Sequence, residues 1–155
     1  TLEISEILNL IQSESGLHSC VINLGAHDGT CLMKGTIVDS GNCAFDLGLR
    51  GLAVEGFDHP GLKDRWHHVD VHIGYISPWN VSQLVSDFLV KEAAEGMDFL
   101  KIDLDHADCT FADEMLKKLP KPRVLQVEYN SFFPPPIQYS EKFSDGVIDL
   151  FSETN

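Results

Sequence analysis

Cys20-Val21-Ile22-Asn23-Leu24-Gly25-Ala26-His27-Asp28-Gly29-Thr30 is the stretch on which the reading of the fold turns. Its first five residues form a short, mostly apolar run without helical spacing, the pattern of a strand buried on both faces. Gly25 and Gly29 then punctuate the exit. Glycine admits a tight backbone path there and lets N–H groups approach a carboxylate or phosphate closely. Working outward, Leu52-Ala53-Val54-Glu55 is a second run of the same kind, followed by the turn-like Asp58-His59-Pro60-Gly61. His68 to Ile73 alternates as a third strand, Asp98 to Leu104 reads as a fourth, and Arg123 to Val127 as a fifth.

Helical spacing fills the intervals. Leu2 to Ser13 sets Ile4, Ile7, Leu8 and Ile11 on one face, whereas residues 31–48 contain Gly35, Gly41 and Gly48 and admit only a short or broken helix. A short helix is expected between the second and third strands. Pro78 opens a helix to about Ala94, with Val81, Leu84, Val85, Phe88 and Leu89 on one face. Asp108 to Leu119 turns Phe111, Met115, Leu116 and Leu119 inward and is stopped by Pro120 and Pro122. Strands alternating with helices predict an α/β fold, a Rossmann-like parallel sheet with flanking helices.

A chain of 155 residues supports one core, hence a single domain. It divides into an N-terminal helix (1–16), the core (20–130) and a Pro-rich, then polar tail (131–155). The 24 acidic residues outnumber the 11 basic ones for a net charge of -13, which opposes a phosphate backbone and argues against nucleic acid as a partner. A cationic ligand or a basic protein surface suits this field. No apolar run is long enough for a transmembrane segment, and a start at Thr1 allows for an earlier targeting segment, and so an organelle. Cys20, Cys31, Cys43 and Cys109 contain no CxxC pair and read as buried thiols of a reducing compartment, with a single Cys31–Cys43 bridge as the alternative.

In parallel α/β sheets ligands sit at the carboxyl ends of the strands, near the reversal of strand order. That rule selects Asn23 to Thr30, Glu55 to Asp58, Asp70 to Gly74, Asp103 to Asp108 and Glu128 to Asn130. Glu55 ends the strand after the glycine loop, where a carboxylate can accept the hydroxyls of a ribose. No GxGxxG is present, which favours a mononucleoside cofactor over a dinucleotide. Asp103, Asp105, Glu128 and Asn130 end neighbouring strands and offer hard oxygen ligands for a divalent cation, Mg²⁺ or Ca²⁺, or alternatively helix caps. His68, Asp70 and His72 read as an exposed polar face. Phe132-Phe133-Pro134-Pro135-Pro136 is a stiff apolar loop.

These segments resemble a family. Val21 to Gly29 resembles the first motif of class I S-adenosylmethionine-dependent methyltransferases, and Ala53-Val54-Glu55-Gly56 resembles their second. Phe99-Leu100-Lys101-Ile102-Asp103-Leu104-Asp105-His106-Ala107-Asp108 is similar to the Leu-Lys-Ile-Asp-x-Glu-Gly-x-Glu segment of the FkbM-type members, and Val124 to Asn130 to their next strand. The resemblance spans about residues 20–130. It implies S-adenosylmethionine as cofactor, with Gly25, Ala26 and Gly29 near its methionine part, Glu55 on the ribose and Asp70 near the adenine. It further implies O-methyl transfer to a small-molecule substrate beside Asp103, with Asp103, His106 and Glu128 as the catalytic candidates and Asp105 a further possible base.

Asn23 stands where the first motif usually has Asp or Glu, and keeps only a polar contact. Asp105-His106-Ala107-Asp108 replaces Glu-Gly-x-Glu, and the residues after Asn130 are too few for the family's sixth and seventh strands, so the expectation is that either the chain is cut there or a partner covers the fifth strand. These departures support an alternative reading, a catalytically inactive accessory or scaffold subunit of a protein complex, with a partner covering the fifth-strand edge. His27 or Phe57 filling the cofactor crevice would mark that alternative.

Overall fold

The five short apolar runs form five strands in the computed structural model, which describes Glu6, Asn9, Ser13, residues 20–31, 39–105 and 107–128, and Phe143. The strands are β1 (Val21–Leu24), β2 (Gly51–Glu55), β3 (Val69–Ile73), β4 (Phe99–Ile102) and β5 (Val124–Val127). Three helices are delimited among the described residues, α1 (Ser40–Asp46), α2 (Pro78–Lys91) and α3 (Asp108–Lys118). All strand pairs are parallel, in the order β3-β2-β1-β4-β5. The chain is an α/β protein with a Rossmann-like sheet. Leu24 is level with Val54 on one side and Ile102 on the other, and Ile102 with Val127. β1, β4 and β5 therefore end flush, β2 and β3 reach one residue further to the level of Glu55 and Ile73, and the strand order reverses between β1 and β4.

Alternation along each strand supplies two cores. Ile22, Leu24, Leu52, Val54, Leu100 and Ile102 face Val81, Val85, Phe88 and Leu89 of α2 and Phe111, Ala112 and Met115 of α3. On the other face Val21, Ala53 and Phe99 meet Ala44 and Phe45 of α1, together with Leu62 and Trp66. Burial of each large side chain contributes roughly 1.5–3 kcal/mol, so both faces drive the sheet into the interior. Helix α2 begins with a capping box, Ser77 N–H donating to Asn80 Oδ1 (2.7 Å) and Asn80 N–H to Ser77 Oγ (3.3 Å), with Pro78 in the first turn.

Three expectations are corrected. Between β2 and β3 there are turns and no helix: Leu62 N–H bonds to His59 O (3.1 Å) and Arg65 N–H to Leu62 O (3.3 Å). Gly61 has φ 84°, and these tight turns bring Leu62 and Trp66 onto Phe45 within a few residues, which a regular helix after Pro60 would not do. The inward face of α3 contains Ala112, with Leu116 only half-buried. Cys31 and Cys43 are not free thiols; they form a disulfide, because the turn after the glycine loop returns Cys31 to the first turn of α1. Cys20 is free and buried, Cys109 free and exposed, so the reducing-compartment expectation loses half of its thiols.

Glu6, Asn9 and Ser13, within the expected first helix, are helical. The rest of that segment, His106, Asn130 and the apolar loop at residues 132–136 lie outside the described residues. No helix among the described residues is long and apolar enough to cross a membrane.

Candidate functional site at the carboxyl ends of the sheet

The glycine loop is shaped first by packing. Gly25 has φ +83°, and a Cβ on it would lie 1.8 Å from the carbonyl oxygen of Asp103. Only glycine lets the end of β1 pass this close to the end of β4. Gly29 has φ +80°, and a Cβ there would meet Arg65 Cδ at 2.5 Å and Leu62 Cδ1 at 3.0 Å. Ala26 is fully buried and its N–H donates to Val54 O (3.1 Å). The solvent side of the loop is therefore made by His27 and Asp28, not by the small residues.

Glu55 ends β2 half-buried and holds this loop. Its Oε2 accepts from His27 N–H (2.7 Å), and its Oε1 accepts from the N–H groups of Gly56 (2.8 Å) and Phe57 (3.2 Å). A carboxylate has about four acceptor positions, so one position on Oε2 stays open to a ligand hydroxyl. His27, at φ 51°, stacks on His59 with ring centroids 4.6 Å apart. Both side chains lie on the surface: Phe57 is 66% exposed and His27 is exposed. The hydroxyl and N–H of Thr30 hold the Asp28 carboxyl below its ordinary range.

Beneath the loop lies a buried polar layer that the sequence reading missed. Lys101, at an inward position of β4, places its ammonium 2.8 Å from Asp39 Oδ2, 3.0 Å from Gly25 O and 3.0 Å from Asp103 Oδ2. Its side chain is 2% exposed, and that of Asp39 5%. Asp39 also caps α1 by accepting from Asn42 N–H (2.8 Å). Asn23, fully buried, gives both amide hydrogens away, to Asp39 Oδ1 (3.0 Å) and Asn42 Oδ1 (2.9 Å). It is thus an anchor for α1 with no donor left for a cofactor. The signal was present in Phe99-Leu100-Lys101-Ile102, since a lysine inside a doubly buried strand requires a counter-charge.

At the ends of β4 and β5 the acidic candidates do meet. Asp103 and Glu128 follow the register pair Ile102 and Val127 and so stand at neighbouring strand ends, and partial burial together with the Asp103 charge pushes Glu128 up to about 7. The charges of Asp108 and Asp105 add to this. Burial raises Asp108 as well, opposed by the Leu104 N–H that its Oδ1 accepts at 2.8 Å. Asp105 (φ 63°) and Ala107 (φ 58°) are both left-handed, a conformation costing roughly 1–2 kcal/mol per residue, so the loop after β4 is strained where it borders the site.

Asp70 does not join them. It is level with Leu52 and Ile22, roughly 10 Å below the carboxyl edge at the rise of a strand, and pairs with Lys91 of α2 at 2.5 Å. Among the described residues no group of three or more His, Cys, Asp or Glu side chains is arranged to hold a metal ion. Comparison of the chain with protein-family models, curated proteins and solved structures finds no match.

Proposed function

We propose that this chain binds S-adenosylmethionine at the carboxyl ends of β1 and β2 and transfers its methyl group to a hydroxyl of a small molecule held beyond β4 and β5. The observation that carries the reading is one juxtaposition. Glu55, with one acceptor position open, lies on one side of the β1–β4 reversal, and the Asp103–Glu128 carboxylate pair lies on the other. Nucleoside ligands of open α/β sheets bind at such a reversal.

The residues fit the cofactor. A ribose hydroxyl can donate to the open position on Glu55, and the surplus of carboxylates around Asp103 suits a sulfonium cation. When bound, the cofactor supplies an activated methyl group. What the protein supplies is alignment and a base. Glu128, poised near neutrality, is suited to accept the proton of a hydroxyl nucleophile at physiological pH.

Isothermal titration with S-adenosylmethionine and S-adenosylhomocysteine tests the reading. The parent chain is expected to bind both, and Glu55→Gln to weaken both by about tenfold, the cost of one charge-assisted hydrogen bond. In a melting assay a ligand at a hundred times its Kd adds about 2.7 kcal/mol. Absence of heat and of any melting shift at millimolar ligand would overturn the proposal.

The accessory-subunit reading is favoured by a different observation. β5 is an edge strand of the described sheet, and its Leu125 is 40% exposed, a surface suited to pairing with another chain. Size-exclusion chromatography with light scattering separates the two: a partner-dependent complex without cofactor binding supports the second.

A further inference from the structure

Lys101 is the one fully buried cation among the described residues, and structural pairing with Asp39 alone would not require its third contact. Two of its N–H bonds are used on Asp39 and Gly25 O, and Asp103 Oδ2 completes the surroundings as an ion pair at 3.0 Å. Two of these partners are buried or part of the backbone. The third, Asp103, is 42% exposed on its side chain and neighbours Glu128 just beyond the register pair Ile102 and Val127. A chain of contacts therefore runs from the buried Asp39, through Lys101 and Asp103, to the solvent-facing Glu128.

We propose that Lys101 is the positioning residue of the Asp103–Glu128 pair: it supplies the counter-charge and orientation of Asp103, so that the proton exchanged by the pair is the one on Glu128. The proposal rests on the reading of this pair as the base of the site. Two neighbouring carboxylates disfavour each other's ionisation. Which one is the more disfavoured is decided by the nearest cation. Lys101 lies 3.0 Å from Asp103 Oδ2, whereas the groups facing Glu128 are the carboxylates of Asp103, Asp105 and Asp108. The asymmetry gives Asp103 a cation partner and leaves Glu128 facing only carboxylates. In the proposed reaction Glu128 would take the proton of the hydroxyl nucleophile on a carboxylate oxygen, and the cofactor, held at Glu55, would supply the methyl group to that oxygen and leave as the neutral thioether.

The test is carried out on the full chain without cofactor, so that it fails or succeeds independently of cofactor binding. Carbon-detected NMR follows the carboxyl carbons of Asp103 and Glu128, and nitrogen NMR follows Lys101 Nζ, between about pH 5 and pH 9. Glu128 is expected to titrate near neutrality. Asp103 should show only a minor secondary displacement, and Lys101 Nζ should move with the Glu128 midpoint. Lys101→Met with Asp39→Asn removes both buried charges together, avoiding an unpaired buried carboxylate. In that variant the titration is expected to spread onto Asp103, with the pair's midpoint raised by about half a unit or more. The proposal is overturned if Asp103 carries the main titration in the parent, if Lys101 Nζ stays flat through the Glu128 midpoint, or if the folded double variant titrates as the parent does. Should the double variant not fold, the two parent measurements decide the matter.

Discussion

Reduction of the Cys31–Cys43 bridge gives the sharpest test of how the glycine loop is held. The two cysteines are 12 positions apart, and in the chain-entropy account closing a loop of this size stabilises the folded state by about 3 kcal/mol, through the unfolded ensemble. Native contacts at the loop do not depend on the bridge. Asp39 N–H still donates to Cys31 O (3.0 Å), Asn42 Nδ2 to Ala26 O (2.8 Å), and Asp39 still pairs with Lys101. The reduced chain should therefore remain folded with the same spectrum and lose about 3 kcal/mol, or roughly 6–12 °C in melting temperature for a domain of this size. Urea unfolding with and without a dithiol reductant, and of Cys31→Ser with Cys43→Ser, measures the loss. A thiol reagent first verifies the oxidised state. One thiol, Cys109, should react in the native chain, because Cys20 is buried and its thiol is pushed up to about 12, chiefly by burial. Coincident unfolding curves would refute the bridge. A collapse of the native spectrum on reduction would refute the reasoning, showing that the bridge maintains native packing and does not merely restrict the unfolded chain.

Two further outcomes follow from the site. Gly25→Ala should cost roughly 3 kcal/mol or more, combining a left-handed alanine with overpacking against Asp103 O. Gly48→Ala, at φ +87° with nothing near its Cβ, should cost only about 1–2 kcal/mol in the same denaturation assay, and equal losses would contradict the close-approach argument. The folded chain holds the Glu128 proton more tightly than the unfolded one, since its carboxyl is raised from 4.5 to about 7. That contribution is fully present below about pH 4.5 and is lost as pH rises through 7. Glu128→Gln should accordingly gain on the parent between pH 5 and pH 8, by less than about 1 kcal/mol given the exposure of the side chain. Melting curves at the two pH values check the sign, and a gain confined to acid pH would refute it.

Much of the architecture was legible because burial on both faces leaves a plain record in composition. Val21 to Leu24, Leu52 to Glu55 and Phe99 to Ile102 can hardly be anything but central strands once helices separate them, and Ser77-Pro78 opens a helix whatever its neighbours are. The segment between β2 and β3 was misread for the opposite reason. Leu62 and Trp66 are spaced as a helix would space them, but the short reach to Phe45 selects turns. At the site, Glu55 and the meeting of Asp103 with Glu128 were expected from strand ends alone. The height of Asp70 along β3 was not legible, because it depends on register with β2, which single-strand patterning does not contain.

The sequence by itself determined the five strands and the helices that open at Pro78 and Asp108, the alternation that makes the sheet parallel, and the strand ends where polar side chains collect. Periodicity and turn chemistry are local, and they remain readable before the chain folds. Tertiary structure alone decided the rest: that Gly25 is a contact with Asp103 and not merely a turn, that Asn23 anchors α1, that Cys31 reaches Cys43, and that Lys101 lies between Asp39 and Asp103. Each of these depends on atoms brought together from distant parts of the chain. Their energies come from desolvation and close approach, which exist only once the sheet has closed over them.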